Sequence, residues 1–480
     1  MRRTLRAGWV ITSSAERHHL LRRGCVTIDG DVINQVGPEL PADPGEVIEL
    51  PNCLVTPGLI STHTHSAVNA AEAYFLDPGR PDAFGRNYLN WLAGRTDSSR
   101  AAPDTALGIE FTLAQSLASG VTTTVDFGSA GNPAVYVEVT ERVGARVYTG
   151  PSHRNALISS DERGRFVYDW QDERGWEGLR SALAVAERYD GAAGGRVHIT
   201  LNPSQPDTCS LPLLRETARE ARDRGLLVTT HLSIHALELE RTMQMHRMTP
   251  AQVLDEAGLL NRQTLLAHSM FLSDHSWSGY RATSDLELLG RRGASVSHSP
   301  LKYFHLGVQL ESFSRYRDAG VNMTIGTDFA PRDILAEMRA AMLLSRVADR
   351  TFLRPSPAEV FDAATIGAAD ALNRPDLGRV MPAAKADLVV FDLRSLAFGG
   401  VHDPIEAVVL DGSPACVHSV YVDGRPLIEN RQFRTVAVDD LLQRSQAECE
   451  RLWADTPNWS WGGRGLGDIA PMTYDVLGES

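Results

Sequence analysis

The sequence predicts an α/β chain: a (β/α)8 barrel of parallel strands, with a small β-sandwich domain that both chain ends build. Three observations carry this. From Pro57 onward, apolar strand-like runs alternate with helix-like runs, the pattern of crossover units and a parallel sheet. About eight strand runs can be counted, the number that closes a barrel. Before residue 57 and after about residue 377, the runs are short, β-rich and separated by turn signals.

Residues 1–57 form the first part of the sandwich. Trp9–Thr12, Cys25–Ile28 and Val32–Val36 read as strands, and Asp29-Gly30-Asp31 between two of them is a hairpin signal. Residues 58–376 form the barrel. Its strands are expected at Leu59–Thr62, Val121–Asp126, Arg146–Thr149, Val197–Leu201, Leu226–His231, Thr264–His268, Ala294–His298 and Val321–Asp328. Helices fall between most of them. Pro103-Asp104 opens one whose apolar residues Leu107, Phe111, Ala114 and Ala118 keep helical spacing until Gly120 closes it. Pro212–Arg224 and Pro250–Gly258 are two more, and a helix runs from Pro357 to Ala371. Residues 377–436 return to short strands, Ala386–Asp392 and Val417–Arg425, which complete the sandwich. Residues 437–480 read as an amphipathic helix and a Trp- and Gly-rich tail, Trp459–Gly467. That tail suits a neighbouring subunit or a strap over its own surface.

Composition narrows the function. The 480 residues carry 47 basic against 60 acidic side chains, a net charge of −13, which disfavours nucleic acid as a partner. The five cysteines (Cys25, Cys53, Cys209, Cys416, Cys449) are scattered and form no CxxC, so they read as free thiols in a reducing cytoplasm. The basic start lacks the apolar core of a signal peptide, and no run approaches a membrane span. A soluble cytoplasmic protein is expected.

The polar residues then locate the chemistry. His63 and His65 lie two positions apart at the end of the first barrel strand, so their imidazoles share one side. Imidazole is the commonest protein ligand for zinc and binds it without unusual deprotonation. Strands five, six, seven and eight finish on His231, His268, His298 and Asp328. The C-terminal ends of barrel strands face one mouth. Distant segments therefore converge there, as a metal site requires.

These motifs have a family likeness. Pro57-Gly58 leading to His63-Thr64-His65, Gly120-Val-Thr-Thr-Thr124, His231, His268, Gly326-Thr-Asp328 and Lys385-Ala-Asp-Leu-Val-Val-Phe-Asp392 resemble the amidohydrolase superfamily. The likeness is closest to the branch of cytosine, guanine and S-adenosylhomocysteine deaminases. Ala193–Arg196, Met248–Gly258 and Ile428–Arg431 further resemble the triazine hydrolase (atrazine chlorohydrolase-like) group. The resemblance implies one divalent metal, zinc or alternatively iron, held by His63, His65, His231 and Asp328. Such a metal lowers the pKa of its water. Asp328 would accept the water's proton, and His268 would orient the nucleophile and stabilise the developing oxyanion. His298 matches a deaminase-branch histidine and is a further catalytic candidate. Tyr88 and Trp91 match an aromatic pocket segment suited to stacking a flat ring.

Three departures stand out, one of them the strand-four loop Pro203–Asp207, where many deaminases carry a Pro-His. Relatives carry a proton-shuttling glutamate three residues after the strand-five histidine, and this chain has Ile234. His235, also a substrate-binding candidate, and Glu238 are nearby groups that could carry the proton, or they simply open a helix. Asp328 is followed by Phe329 rather than a small or polar residue.

The expected function is hydrolysis at an electron-poor carbon of a nitrogen heterocycle or amidine-like group, releasing ammonia, an amine or another leaving group. A leaving group that needs little protonation best tolerates the loss of the glutamate. A metal-dependent lyase, isomerase or cyclisation enzyme fits the same residues, and a non-catalytic binding protein is a third reading. A homodimer or higher homo-oligomer is expected from the resemblance.

Overall fold

The computed structural model describes residues 2–70, 100–128, 132–161, 163, 165–278, 284–304, 306–329 and 331–476. Four strands open the chain: β1 (Arg2–Ser13), β2 (His18–Asp29), β3 (Val32–Gly37) and β4 (Glu46–Pro57). The β2–β3 hairpin turns where the Asp-Gly-Asp signal lies. Asp29 pairs with Val32, and Gly30 takes φ 64°, a conformation glycine adopts without a Cβ penalty.

The barrel strands follow as β5 (Leu59–Thr64), β6 (Val121–Asp126), β7 (Arg146–Thr149), β11 (Val197–Pro203), β12 (Leu227–Leu232), β13 (Thr264–His268), β14 (Ser295–His298) and β15 (Asn322–Ile325). Between β7 and β11 lie the short β8 (Ser152–His153) and a hairpin, β9 (Ala156–Ser160) and β10 (Phe166–Trp170). The hairpin is absent from the sequence reading because its apolar residues alternate too briefly to stand out. The barrel strands pair in parallel in chain order. A bridge from Thr64 to Asp328 joins the last to the first, with His65 N–H donating to the Asp328 carbonyl at 2.9 Å.

The expected eighth strand reached Asp328, but β15 ends at Ile325. Asp328 has φ 50°, which takes it out of the extended ladder. The helix expected from Pro357 to Ala371 is two helices, Pro357–Ala363 and Ile366–Ala371, because Thr365 takes a non-helical φ of −132° and ψ of −95°.

Late strands β16 (Leu388–Asp392), β17 (Val417–Val422), β18 (Arg425–Glu429) and β19 (Gln432–Phe433) join the opening ones in one sheet, ordered β19-β18-β17-β16-β4-β1-β2-β3. It wraps its own apolar core of Leu5, Val10, Val26, Ile33, Val55 and Leu388. The helix expected after residue 437 spans Val438–Ala454. It and the tail pack on their own chain: Trp453 Nε1 donates to the Ala70 carbonyl at 2.8 Å, and Arg100 lies 3.7 Å from the Trp459 ring centre. Among the described residues, no helix is long and apolar enough to cross a membrane.

Candidate metal centre

Parallel barrel strands are buried on both faces, yet β6 reads Val-Thr-Thr-Thr-Val-Asp and is buried throughout. Threonine supplies the β-branched shape a strand favours, together with a hydroxyl that must find a partner. Inside the barrel some hydroxyls pair with one another, on β5, β14, β15 and the turn after it. Thr62 Oγ1 lies 2.7 Å from Ser297 Oγ and 2.8 Å from Thr324 Oγ1, and Ser61 Oγ lies 3.0 Å from Thr327 Oγ1. This hydroxyl layer is the floor on which the site residues stand.

Above it, β5, β12, β13 and the turn after β15 bring His63, His65, His231, His268 and Asp328 together. Ligand atoms of His63, His65 and Asp328 all lie within 4.8 Å of one another, as do those of His63, His231 and His268. His63 belongs to both groups, so the five side chains share one space. Asp328 Oδ1 faces His63 Nε2 at 3.8 Å and His65 Nε2 at 3.7 Å, while Oδ2 faces His268 Nε2 at 3.7 Å. The Ser204 carbonyl lies 3.1 Å from His231 Nδ1. A carbonyl only accepts, so Nδ1 carries the proton and Nε2 keeps its lone pair.

Burial and mutual repulsion keep these rings neutral. His63, His231 and His268 are held well below the ordinary histidine range, chiefly by burial and then by charge on neighbouring groups. Burial brings His65 down to about 4, against an opposing pull from Asp328. Neutral imidazoles are what a metal needs. Both ring nitrogens of His63 and of His268 are buried without a hydrogen-bond partner. Buried polar atoms left this way are costly, and three or four converging imidazoles with one carboxylate match the donors a zinc site uses. The residues present fit a divalent metal.

The backbone is bent to make the arrangement. His268, Ser269, Asp328 and Ser233 all have positive φ, between 49° and 74°, an uncommon conformation for residues with a Cβ that clusters at functional sites. Gly326 clears the way for His63: a Cβ there would lie 2.9 Å from His63 Cβ and 2.6 Å from Ser297 Oγ.

The fold and this arrangement agree with a match to the family model described as "Amidohydrolase family" over residues 54–427. The chain belongs to the amidohydrolase family. It is 29% identical over 430 residues to a 5-methylthioadenosine/S-adenosylhomocysteine deaminase of Pyrococcus furiosus, covering 88% of this chain and 94% of that one. It is 25% identical over 441 residues to a 5'-deoxyadenosine deaminase of Methanosarcina barkeri, covering 90% and 94%. Among solved structures, the zinc-complexed atrazine chlorohydrolase of Arthrobacter aurescens superposes with a TM-score of 0.77 at 22% identity, covering 93% of this chain and 99% of that one. A zinc-bound adenosine deaminase of Xanthomonas campestris gives 0.76 at 21% identity, covering 94% and 98%.

Within this amidohydrolase the remaining candidates fall as follows. His298 ends β14, buried at the same mouth, and burial takes it down to about 3. His235 is buried and caps the helix Ala236–His246, its Nδ1 accepting the Glu238 N–H at 3.0 Å. Glu238 is buried too. Its carboxylate accepts the Ser233 N–H at 3.0 Å and the Ile234 N–H at 2.9 Å. Burial and then Asp207 push Glu238 well above the usual carboxylate range. Ile234 joins the main apolar core. Tyr88 and Trp91 lie outside the described residues. Phe329 stacks on His65 with ring centres 4.9 Å apart, and Phe127 meets the His231 ring edge-on at 4.1 Å.

The sequence reading missed three basic residues. Lys302, in the short helix Pro300–Phe304, puts Nζ 2.8 Å from Asp328 Oδ2, a close ion pair without hydrogen-bond alignment. Its signal was composition: the chain has two lysines, Lys302 and Lys385. Buried Arg332 donates to the His65 carbonyl at 2.7 Å and to Gln115 at 3.0 Å, fixing the turn after β5. Arg154, directly after β8, lies within electrostatic reach of His231.

Proposed function

We propose that this amidohydrolase binds one divalent metal, zinc or alternatively iron, through His63, His65, His231 and Asp328. With it the enzyme would hydrolyse an electron-poor carbon of a nitrogen heterocycle or amidine-like group. The observation that carries the reading is the pair of buried imidazoles, His63 and His268, with no hydrogen-bond partner at either nitrogen and a carboxylate between them. When bound, a divalent ion acidifies water and polarises the group under attack. Asp328 Oδ2, on the His268 side, takes the proton from the attacking water. His268 orients that water and stabilises negative charge as it develops on the substrate. His298, Tyr88, Trp91 and His235 are the proposed substrate-side residues. His231 holds its orientation through the Ser204 carbonyl.

Ile234 is an apolar wall where an acid would assist the leaving group, and Glu238 is committed to two backbone amides. We therefore favour leaving groups that need little protonation, such as halide or a weakly basic amine. Elemental analysis should find about one metal per chain, lost in His63→Ala, and turnover in oxygen-18 water should label the product. A metal-free wild type sinks the metal reading, and unlabelled product with proven turnover points to lyase or isomerase chemistry.

Three finer assignments belong to the same reading. We place the domain boundaries near 57/58, 376/377 and 436/437; the change of sheet from β4 to β5 and from β15 to β16, and the helix that follows β19, support this division. A cytoplasmic location is supported by five cysteines that are all free and buried. A homodimer or higher homo-oligomer is supported by Val347, Phe352 and Leu353, exposed by 73%, 81% and 67%; light scattering at several concentrations tests it.

A further inference from the structure

The motif Ala193–Arg196 takes no part in the chemistry at the mouth, because it lies at the other end of the barrel. Arg196 stands directly before β11, which begins at Val197, and so belongs to the N-terminal face of the strands. There the barrel meets the sandwich around a cleft of about 470 Å³. Arg196, Arg3 of β1, the β2–β3 turn at Gly30 and the β17–β18 turn at Asp423–Arg425 line it. The two turns abut: a Cβ on Gly424 would lie 2.3 Å from the Gly30 carbonyl oxygen, and Gly424 takes φ 70°. Only glycine suits that position.

Three guanidiniums line this cleft, and none donates a hydrogen bond to an acceptor among the described residues. The Arg196 side chain is 11% exposed, yet its Nη1 stops 3.7 Å short of Asp423 Oδ2 and its Nε is buried without a partner. Arg3, 14% exposed, comes no nearer than 3.9 Å to Glu46. Arg425, at the start of β18, is exposed. Other cations hold the carboxylates of this region at shorter range. Asp423 Oδ1 accepts Arg146 Nη2 at 2.6 Å, Asp387 accepts Arg146 Nε at 3.2 Å, and Asp31 accepts Lys385 Nζ at 2.6 Å. A charge-assisted N–H···O bond spans about 2.7–2.9 Å, so the Arg196 and Arg3 pairs are neighbours and not bonds. Sinking two guanidiniums this far without a bonded acceptor costs free energy that an anion in the cleft would offset.

We propose that this cleft is a second ligand site, separate from the metal centre, that binds phosphate on Arg3, Arg196 and Arg425, either as the free ion or as the head of a small monoester. Guanidinium forks match phosphate oxygens in pairs. Three forks from separate segments suit a tetrahedral dianion better than a carboxylate, which offers two oxygens in one plane. The volume falls in the range of small-molecule sites and leaves space beside the phosphate for the rest of an ester. Arg3 and Arg425 belong to the sandwich sheet and Arg196 to the barrel, so the bound anion ties the two together. The metal centre at the opposite mouth plays no part in this binding.

Titration calorimetry of the full-length zinc-loaded enzyme with inorganic phosphate and with phenyl phosphate, at constant ionic strength, tests this. Phosphate held by the metal is separated by His63→Ala, which should lose that binding and keep the binding in the cleft. Arg196→Gln should weaken cleft binding at least about tenfold. Arg425→Gln, at an exposed side chain that folding does not need, should weaken it about threefold. Phosphate should also raise the melting temperature of wild type and of His63→Ala, and raise that of Arg196→Gln much less. Tighter binding of phenyl phosphate than of phosphate marks an ester as the occupant, and the reverse order marks the free ion; either order supports the site. No saturable binding in His63→Ala, or equal affinity in wild type, Arg196→Gln and Arg425→Gln, would overturn it.

Discussion

Replacing Lys302 by methionine should tighten zinc binding while weakening the metal-free protein. The Lys302 ammonium lies 2.8 Å from Asp328 Oδ2 in a buried setting. At that separation and an effective dielectric of about 20, the direct attraction is about 6 kcal/mol. Desolvation of both groups offsets part of it, and truncating one partner of a buried pair typically costs about 3–5 kcal/mol because the other charge is stranded. That cost falls on the metal-free protein. In the metal-bound protein the ion neutralises Asp328, and the repulsion between ion and ammonium disappears. Both effects favour binding, so Lys302→Met should raise zinc affinity by at least about tenfold. Its metal-free form should also unfold at a lower temperature. Competition with a zinc-sensitive chelating dye, paired with thermal melts with and without zinc, reads both. A Lys302→Met protein that binds zinc no better than wild type would refute the charge-competition argument.

Three further expectations follow from the geometry. Gly326→Ala would place a Cβ 2.9 Å from His63 Cβ and 2.6 Å from Ser297 Oγ, so it should cost about 1–3 kcal/mol of stability and weaken zinc by displacing His63. Unchanged melting and dye competition would count against it. The metal-free protein should lose stability on acidification. His65 has its folded pKa lowered to about 4, so the unfolded state binds more protons between about 6.5 and 4. Stability is full above that window and falls through it by up to about 1.4 kcal/mol per pH unit per such histidine. Chemical denaturation at pH 7 and pH 5 with His65→Gln as control checks this, and an unchanged slope in the variant would contradict it. Glu238 acts with the opposite sign: raised by burial and then by Asp207, it erodes stability as pH rises above its unfolded value of 4.5. Asp207→Asn should make that erosion smaller, and identical pH profiles for the two proteins would exclude the coupling.

The barrel was legible because its signals are local. The repeat of β-rich runs and capped helices shows in windows of a few residues. The histidines and the aspartate stand out because they recur at the same place, the end of successive strand-like runs. His63 and His65 are two positions apart on a strand, and period two alone puts them on one side. Gly326 could be read only as part of a motif; its reason, the lack of room beside His63, required the packed strands.

What the sequence by itself determined was the barrel, its parallel order, and the convergence of His63, His65, His231, His268 and Asp328 at one mouth. Strand direction and side-chain alternation follow from local chemistry, and barrel closure then leaves those residues nowhere else to go. Only the tertiary structure decided the electrostatics around them. Lys302 meets Asp328 across 26 positions of chain, and Arg332 reaches back to the His65 carbonyl. It also turned Glu238 from a possible proton carrier into a clamp on the Ser233 and Ile234 amides. No periodicity encodes such pairings. Charge, burial and distance act between segments that the fold alone brings together, and those three quantities set what the mouth of this barrel will accept.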